Sequence, residues 1–268
     1  MKSCWSSAFV FILFLFACNG NNDSGIHPES IMSEEATLRM LIQKFPDSLL
    51  LREQLIQYHR DSGNYAAAIR DCDSLIARFP GYFKGWSILS KLQFEKGDSL
   101  AALPSMERAA ILLPSPGNLI ELGSLMAVLK DDRAPAVADK LISGTPSEQQ
   151  EGLLIKGIYY NNTGKFDSAI VFLDECLGLS YTNMKAYREK AIALYEKGDF
   201  SKALVTLDKA IMLQNNFSEA HFYSGRCLEK LNRKEDALEA YETALALEQN
   251  DYPEASEAIA KLKNAEKK

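Results

Sequence analysis

Side chains able to do chemistry are few in this chain and poorly placed for it. Its three histidines are His27, His59 and His221. The last two belong to stretches about five repeating units apart, so they cannot share a metal. No HExxH helix, GxSxG elbow or phosphate-cradling glycine loop occurs. The acidic pairs Glu34-Glu35, Asp131-Asp132 and Glu235-Asp236 fall at predicted helix starts or turns. There, carboxylates complement the helix dipole rather than act as acid and base. Beyond Cys4 and Cys18 the cysteines are Cys72, Cys176 and Cys227, an odd number without a CxxC pair. Each sits on an apolar helical position, where a free thiol packs as a small hydrophobe. The expectation is a chain that is not an enzyme, with no catalytic residue, no metal and no cofactor.

Cys18 is the exception. An unbroken apolar run, Ala8 to Ala17, follows Lys2 and ends in Leu15-Phe16-Ala17-Cys18. Ten residues span roughly 15 Å as a helix, about half a bilayer's hydrocarbon core, which suits a signal-peptide core and not a membrane-spanning helix. The four closing residues resemble the bacterial lipobox. That resemblance implies a signal peptide over residues 1–17, cleavage before Cys18 and acylation of its thiol and new amino group. Residues 18–31 include NGNNDSGIHPES, which is polar, free of apolar periodicity and suited to a tether. Asn19 after the cysteine resembles lipoproteins passed to the outer membrane. The expected location is therefore the cell envelope, with membrane contact through the lipid alone.

Bulk composition is ordinary for a folded chain, with 47% hydrophobic and 25% charged residues. A net charge of −6 and the absence of a basic cluster argue against a nucleic-acid partner.

The remaining residues are organised by repetition. LYEKGDFSKALVTLDKAIMLQNN (Leu194–Asn216) and LEKLNRKEDALEAYETALALEQN (Leu228–Asn250) share one layout, thirty-four residues apart. Small residues fall at Ala68, Ala102, Ala169, Ala203 and Ala237, and a turn residue keeps step at Gly63, Gly97, Gly164, Gly198 and Asn232. Glycine, and next best asparagine, adopts the left-handed backbone that a tight turn between antiparallel helices needs. Pro46, Pro80 and Pro114 close the early units, because proline cannot continue a helix.

With Trp86 and Leu89 on a first helix, Gly157 and Tyr160 on another, and Ala102, Met106, Ala109 and Pro114 on a second, the pattern resembles the tetratricopeptide repeat. The resemblance implies an all-α, right-handed superhelical solenoid of antiparallel helix pairs. Its expected parts are a half-repeat over 32–46 and repeats at about 49–82, 83–115, 116–149, 150–183, 184–217 and 218–251. A capping helix over 252–268 would end the array with Ala255, Ile259 and Leu262 inward. The 116–149 unit is degenerate, with Asp131-Asp132 where glycine is expected and Pro135 near the start of its second helix. A hinge at this point is the competing reading.

Such an array implies a groove lined by first helices that binds an extended or helical peptide. Carried over position by position, the groove residues are Lys84, Ser87, Lys91 and Phe94, then Leu154, Ile158 and Asn161. The last two units supply Arg188, Ile192 and Tyr195, then Phe222, Arg226 and Glu229. The lysine–asparagine clamp with which some such proteins hold a C-terminal carboxylate is not reproduced. The expected function is a lipid-anchored, non-catalytic interaction scaffold of the bacterial envelope with a protein or peptide partner. Lipoproteins of this layout resemble pilotins for type IV pili, adaptors of peptidoglycan hydrolases and subunits of the outer-membrane assembly machinery. An envelope glycan or small-nutrient binder, stacking sugar on groove aromatics, is the alternative.

Overall fold

A computed structural model describes residues 32–265; the expected signal peptide, Cys18 and the tether lie outside them. Among the described residues there are fourteen helices and no strand. α1 (Glu34–Lys44) stands alone. Six hairpins follow: α2 (Leu49–Asp61) with α3 (Tyr65–Arg78), α4 (Phe83–Glu95) with α5 (Ser99–Leu112), and α6 (Pro116–Val128) with α7 (Ala134–Ile142). The rest are α8 (Pro146–Asn162) with α9 (Phe166–Leu179), α10 (Met184–Glu196) with α11 (Phe200–Leu213), and α12 (Ser218–Lys230) with α13 (Lys234–Leu247). α14 (Pro253–Ala265) closes the array.

The hairpin turns are built alike. Gly63, Gly97, Gly164, Gly198 and Asn232 all have positive φ. The next residue's N–H donates to a carbonyl five positions back, as in Asn64 to His59 (2.8 Å), Asp98 to Gln93 (2.8 Å) and Arg233 to Leu228 (2.9 Å). This bond caps the first helix and starts the second. Several starts gain a side-chain cap as well, among them Ser33, Asn64, Asp98 and Asn183.

The degenerate unit departs from expectation at two positions. Its left-handed residue is Lys130, with φ of 60°, and not Asp131 or Asp132. Asp131 instead donates its N–H to Met126 at 2.9 Å, the same closing bond as elsewhere. The small-residue site is filled by Ala134, fully buried, with Pro135 in the first helical turn, where its missing N–H does no harm. α6 and α7 form a packed pair, and α7 is only nine residues long.

Every second helix packs on its own first helix and on the helix that follows, the first of the next pair or, for α13, the closing α14. The contact needs one side small and the other large. Ala68, Ala102, Ala169, Ala203 and Ala237 have no exposed surface, and Leu75, Leu173, Leu207 and Tyr241 fill the gaps with equally complete burial. Burying one such large side chain contributes about 1.5–3 kcal/mol, so stability is spread along the array. Cys72, Cys176 and Cys227 are free and buried within the same seams. Ala255 and Leu262 of α14 are buried over the last hairpin.

Candidate functional site: the first-helix face

Curvature follows from which helices touch. The first helices α6, α8, α10 and α12 pack on one another in succession, whereas no two second helices are in comparable contact. The first-helix side is therefore the inside of the bend. Between α4 and α6 the first helices stand apart, and the groove floor opens there.

Polar residues on this face are mostly engaged with each other, one repeat along. Lys84 Nζ lies 2.5 Å from Glu53 Oε2, and Lys91 Nζ lies 2.7 Å from Glu121 Oε1. Ser87 Oγ donates to the other oxygen of Glu121 at 2.9 Å. Arg60 pairs with Glu95. Arg188 reaches Glu219 at 2.5 Å and its neighbour Glu189 at 3.0 Å. Burial opposes the Arg188 charge, but the two carboxylates outweigh it and raise the guanidinium's pKa above its ordinary value. These rungs fix neighbouring units in register, each with the modest energy of a partly exposed pair.

Three expected groove residues are buried: Ser87, already bonded to Glu121, and Leu154 and Asn161 on α8. Leu154 is 4% exposed and packs with Leu153, Ala169 and Leu173. Asn161 is also buried, and its Nδ2 donates to the backbone oxygen of Glu189 at 2.8 Å and to Oε2 at 3.2 Å. The reason is local. α8 is the longest helix and is contacted by α6, α7, α9 and α10, so little of its inner face stays open. Gly123 on α6 allows the close approach, since a Cβ there would meet Ile155 at 3.1 Å. Ile158 and Ile192 are half-buried. Glu229 accepts the Tyr241 hydroxyl at 2.6 Å, and burial together with that carboxylate pushes the hydroxyl's pKa upward.

Two features stay open. The first is an apolar pocket of about 300 Å³ between α4 and α6, bounded by Phe94, Leu125 and Val128 with Met106 of α5 as its floor. Phe94 is 42% exposed and Val128 47% exposed. The Lys91–Glu121 pair and Ser124 form its rim, and Ser90 lies buried beneath them. The second is an aromatic cluster at the far end. Arg226 stands over the Tyr195 ring at 4.5 Å and near Tyr223 at 5.6 Å, while Phe222 packs against Tyr223, Tyr241 and Tyr252. Leu125 and Val128 lie in the degenerate unit, whose groove positions the repeat pattern does not map, and Tyr223 and Tyr252 lie outside the helical phases carried over from the repeat. Leu125 is nonetheless thirty-four residues after Lys91, in the same phase.

The side chains with chemical potential are occupied elsewhere. His59 is 4% exposed, with Nε2 at 3.3 Å from Asp71, 3.5 Å from Glu35 and 3.3 Å from an Arg39 nitrogen, a cluster that ties α1 to α2 and α3. His221 bonds the Asn215 carbonyl oxygen at 3.0 Å.

Comparison with known proteins places this geometry. Residues 54–115 and 194–262 each match a family model described as tetratricopeptide repeat. Mouse tetratricopeptide repeat protein 12 is 33% identical over 79 residues, 30% of this chain and 11% of that protein, so the chain spans a small part of that relative. A solved tetratricopeptide repeat protein from Parabacteroides merdae superposes with a TM-score of 0.70 at 18% identity, covering 85% of this chain and 90% of the other. The type IV pilus biogenesis factor PilW superposes with a TM-score of 0.61 at 17% identity, covering 78% and 97%.

Proposed function

We propose that this tetratricopeptide-repeat chain is a non-catalytic scaffold of the bacterial cell envelope, anchored by lipid on Cys18, that holds a protein or peptide segment on its first-helix face. The pocket between α4 and α6 carries the reading. An aromatic and two aliphatic side chains line a concavity that nothing in the described chain fills, on a face whose charges are otherwise largely matched. Apolar surface gathered in a rimmed concavity favours a complementary apolar side chain. A non-catalytic role fits the engagement of His59 in a structural cluster and the burial of the three cysteines. The lipid anchor rests on Leu15-Phe16-Ala17-Cys18. PilW, described as a pilus biogenesis factor, supports an envelope-assembly setting through shared architecture only.

A photo-crosslinking residue placed at Phe94 in native envelopes tests the docking face. The expected result is a discrete protein adduct that is absent when the probe replaces Met212, which is 86% exposed on a second helix. No adduct at position 94, or the same adducts from both positions, sinks the docking reading. Mass spectrometry of the mature N-terminus tests the anchor separately. An acylated Cys18 is expected, and an unmodified one removes the address and leaves the groove.

A further inference from the structure

Of the four basic groove residues anticipated from sequence, Lys84, Lys91 and Arg188 each hold a carboxylate of a neighbouring unit. Arg226 does not. Among the described residues no carboxylate lies within salt-bridge distance of its guanidinium and no hydrogen bond engages it, although Glu254 and Glu257 belong to the next helix, α14. The group is held instead over the Tyr195 ring at 4.5 Å and beside Tyr223 at 5.6 Å. A cation held over an aromatic face is restricted in position, yet the ring accepts none of its fork of N–H donors as a carboxylate would. A half-buried, pre-oriented and unsatisfied guanidinium is built to receive a carboxylate in two-point fashion.

Nearby charge narrows what can bring that carboxylate. Glu189, Glu219 and Glu229 act with Arg226 on the Tyr223 and Tyr241 hydroxyls, and each already accepts a hydrogen bond from Asn161, Arg188 or Tyr241. Those carboxylates repel a run of acids, while the unmatched charge of Arg226 attracts a single one. Half-buried Phe222 lies one helical turn before Arg226 on α12, and half-buried Ile192 holds the position on α10 equivalent to that of Arg226. We infer that Arg226 on Tyr195 anchors one aspartate or glutamate side chain of the partner protein, with apolar residues beside it. This rests on the reading that the first-helix face holds a protein.

The full chain in detergent, labelled with 15N, is titrated with C-terminally amidated nonapeptides whose centre is Leu-Glu-Leu, Leu-Gln-Leu or Glu-Glu-Glu. A fourth peptide carries Leu-Gln-Leu at a free C-terminus. The readout is the set of backbone amide resonances of α10 and α12, which Arg226→Lys retains, together with the Arg226 Nε–H resonance, assigned by its loss in that variant. The Leu-Glu-Leu peptide is expected to shift them with at least fivefold lower Kd than each of the others, and Arg226→Lys and Tyr195→Ala to abolish the difference with helical circular dichroism unchanged. Equal binding of the Glu and Gln peptides, preference for the acidic run, or discrimination surviving Arg226→Lys overturns the inference. Preference for the free C-terminus overturns the side-chain source. Peptides that perturb only the Phe94 region sink this site and leave the docking function standing; peptides that bind nowhere on the face, with no crosslinked partner, sink both.

Discussion

Gly225 of α12 faces the ring of Tyr241 of α13 so closely that a Cβ there would lie 2.6 Å from Cε1. The ring cannot yield, because Tyr241 is completely buried, bonds Glu229 and packs against Phe222. Overpacking costs about 1–3 kcal/mol, against roughly 1 kcal/mol gained from helix propensity. Gly225→Ala should lower unfolding free energy by up to about 2 kcal/mol in urea titrations. Gly178→Ala, where a Cβ meets nothing within 4 Å in α9, should change it by about 0.5–1 kcal/mol in the stabilising direction. The same sign for both would show that the helix contact is looser than described.

Two polar links between first helices should differ in strength because they differ in burial. Asn161→Ala removes a buried donor from both the carbonyl and the carboxylate of Glu189, and should destabilise by about 1–3 kcal/mol. Lys91→Ala breaks an ion pair whose side chains are 51% and 39% exposed, and should cost less than about 1 kcal/mol. Thermal melts of the two variants, run together, rank them directly.

Phe94→Ala is expected to leave stability within about 1 kcal/mol, since the side chain is already 42% exposed. It should nevertheless abolish the protein adduct formed by a crosslinker placed at Val128, on the opposite side of the pocket. An undiminished adduct would remove the α4–α6 pocket from the docking surface.

Burial pushes the thiols of Cys72, Cys176 and Cys227 from an ordinary 9.0 up to about 12. Between those values the folded chain keeps protons that the unfolded chain releases. The contribution to stability is thus intact below about pH 9 and declines as pH rises toward 12. Tyr82, raised to about 12 chiefly by burial and by Glu53, acts with the same sign. Urea midpoints should fall from pH 8 to pH 10.5. At pH 8 iodoacetamide should leave all three thiols unmodified until urea unfolds the chain.

The hairpins are legible in the amino-acid order because their causes are local. A left-handed residue at Gly63 or Gly198, a small residue five positions later and a helix stop are each imposed by backbone sterics within one turn. They recur every thirty-four residues except across the 116–149 unit, where one residue is missing, so the all-helical solenoid follows from a single chain of letters. Even the degenerate unit obeys the pattern, with Lys130 taking the turn that a search for glycine overlooks.

Which groove positions face a partner is not a local property. Leu154 and Asn161 occupy the same helical phases as Arg188 and Tyr195, yet α6 and α10 close over α8 and bury them. Likewise, nothing in the order of residues shows that Lys84, Lys91 and Arg188 find carboxylates about thirty residues away while Arg226 meets only tyrosine rings. Sequence determined the repeat, because periodicity records what each helix must bury. Tertiary structure alone decided which first-helix residues stay exposed, because exposure there depends on the distance between first helices, and that distance is set by every packed side chain between them.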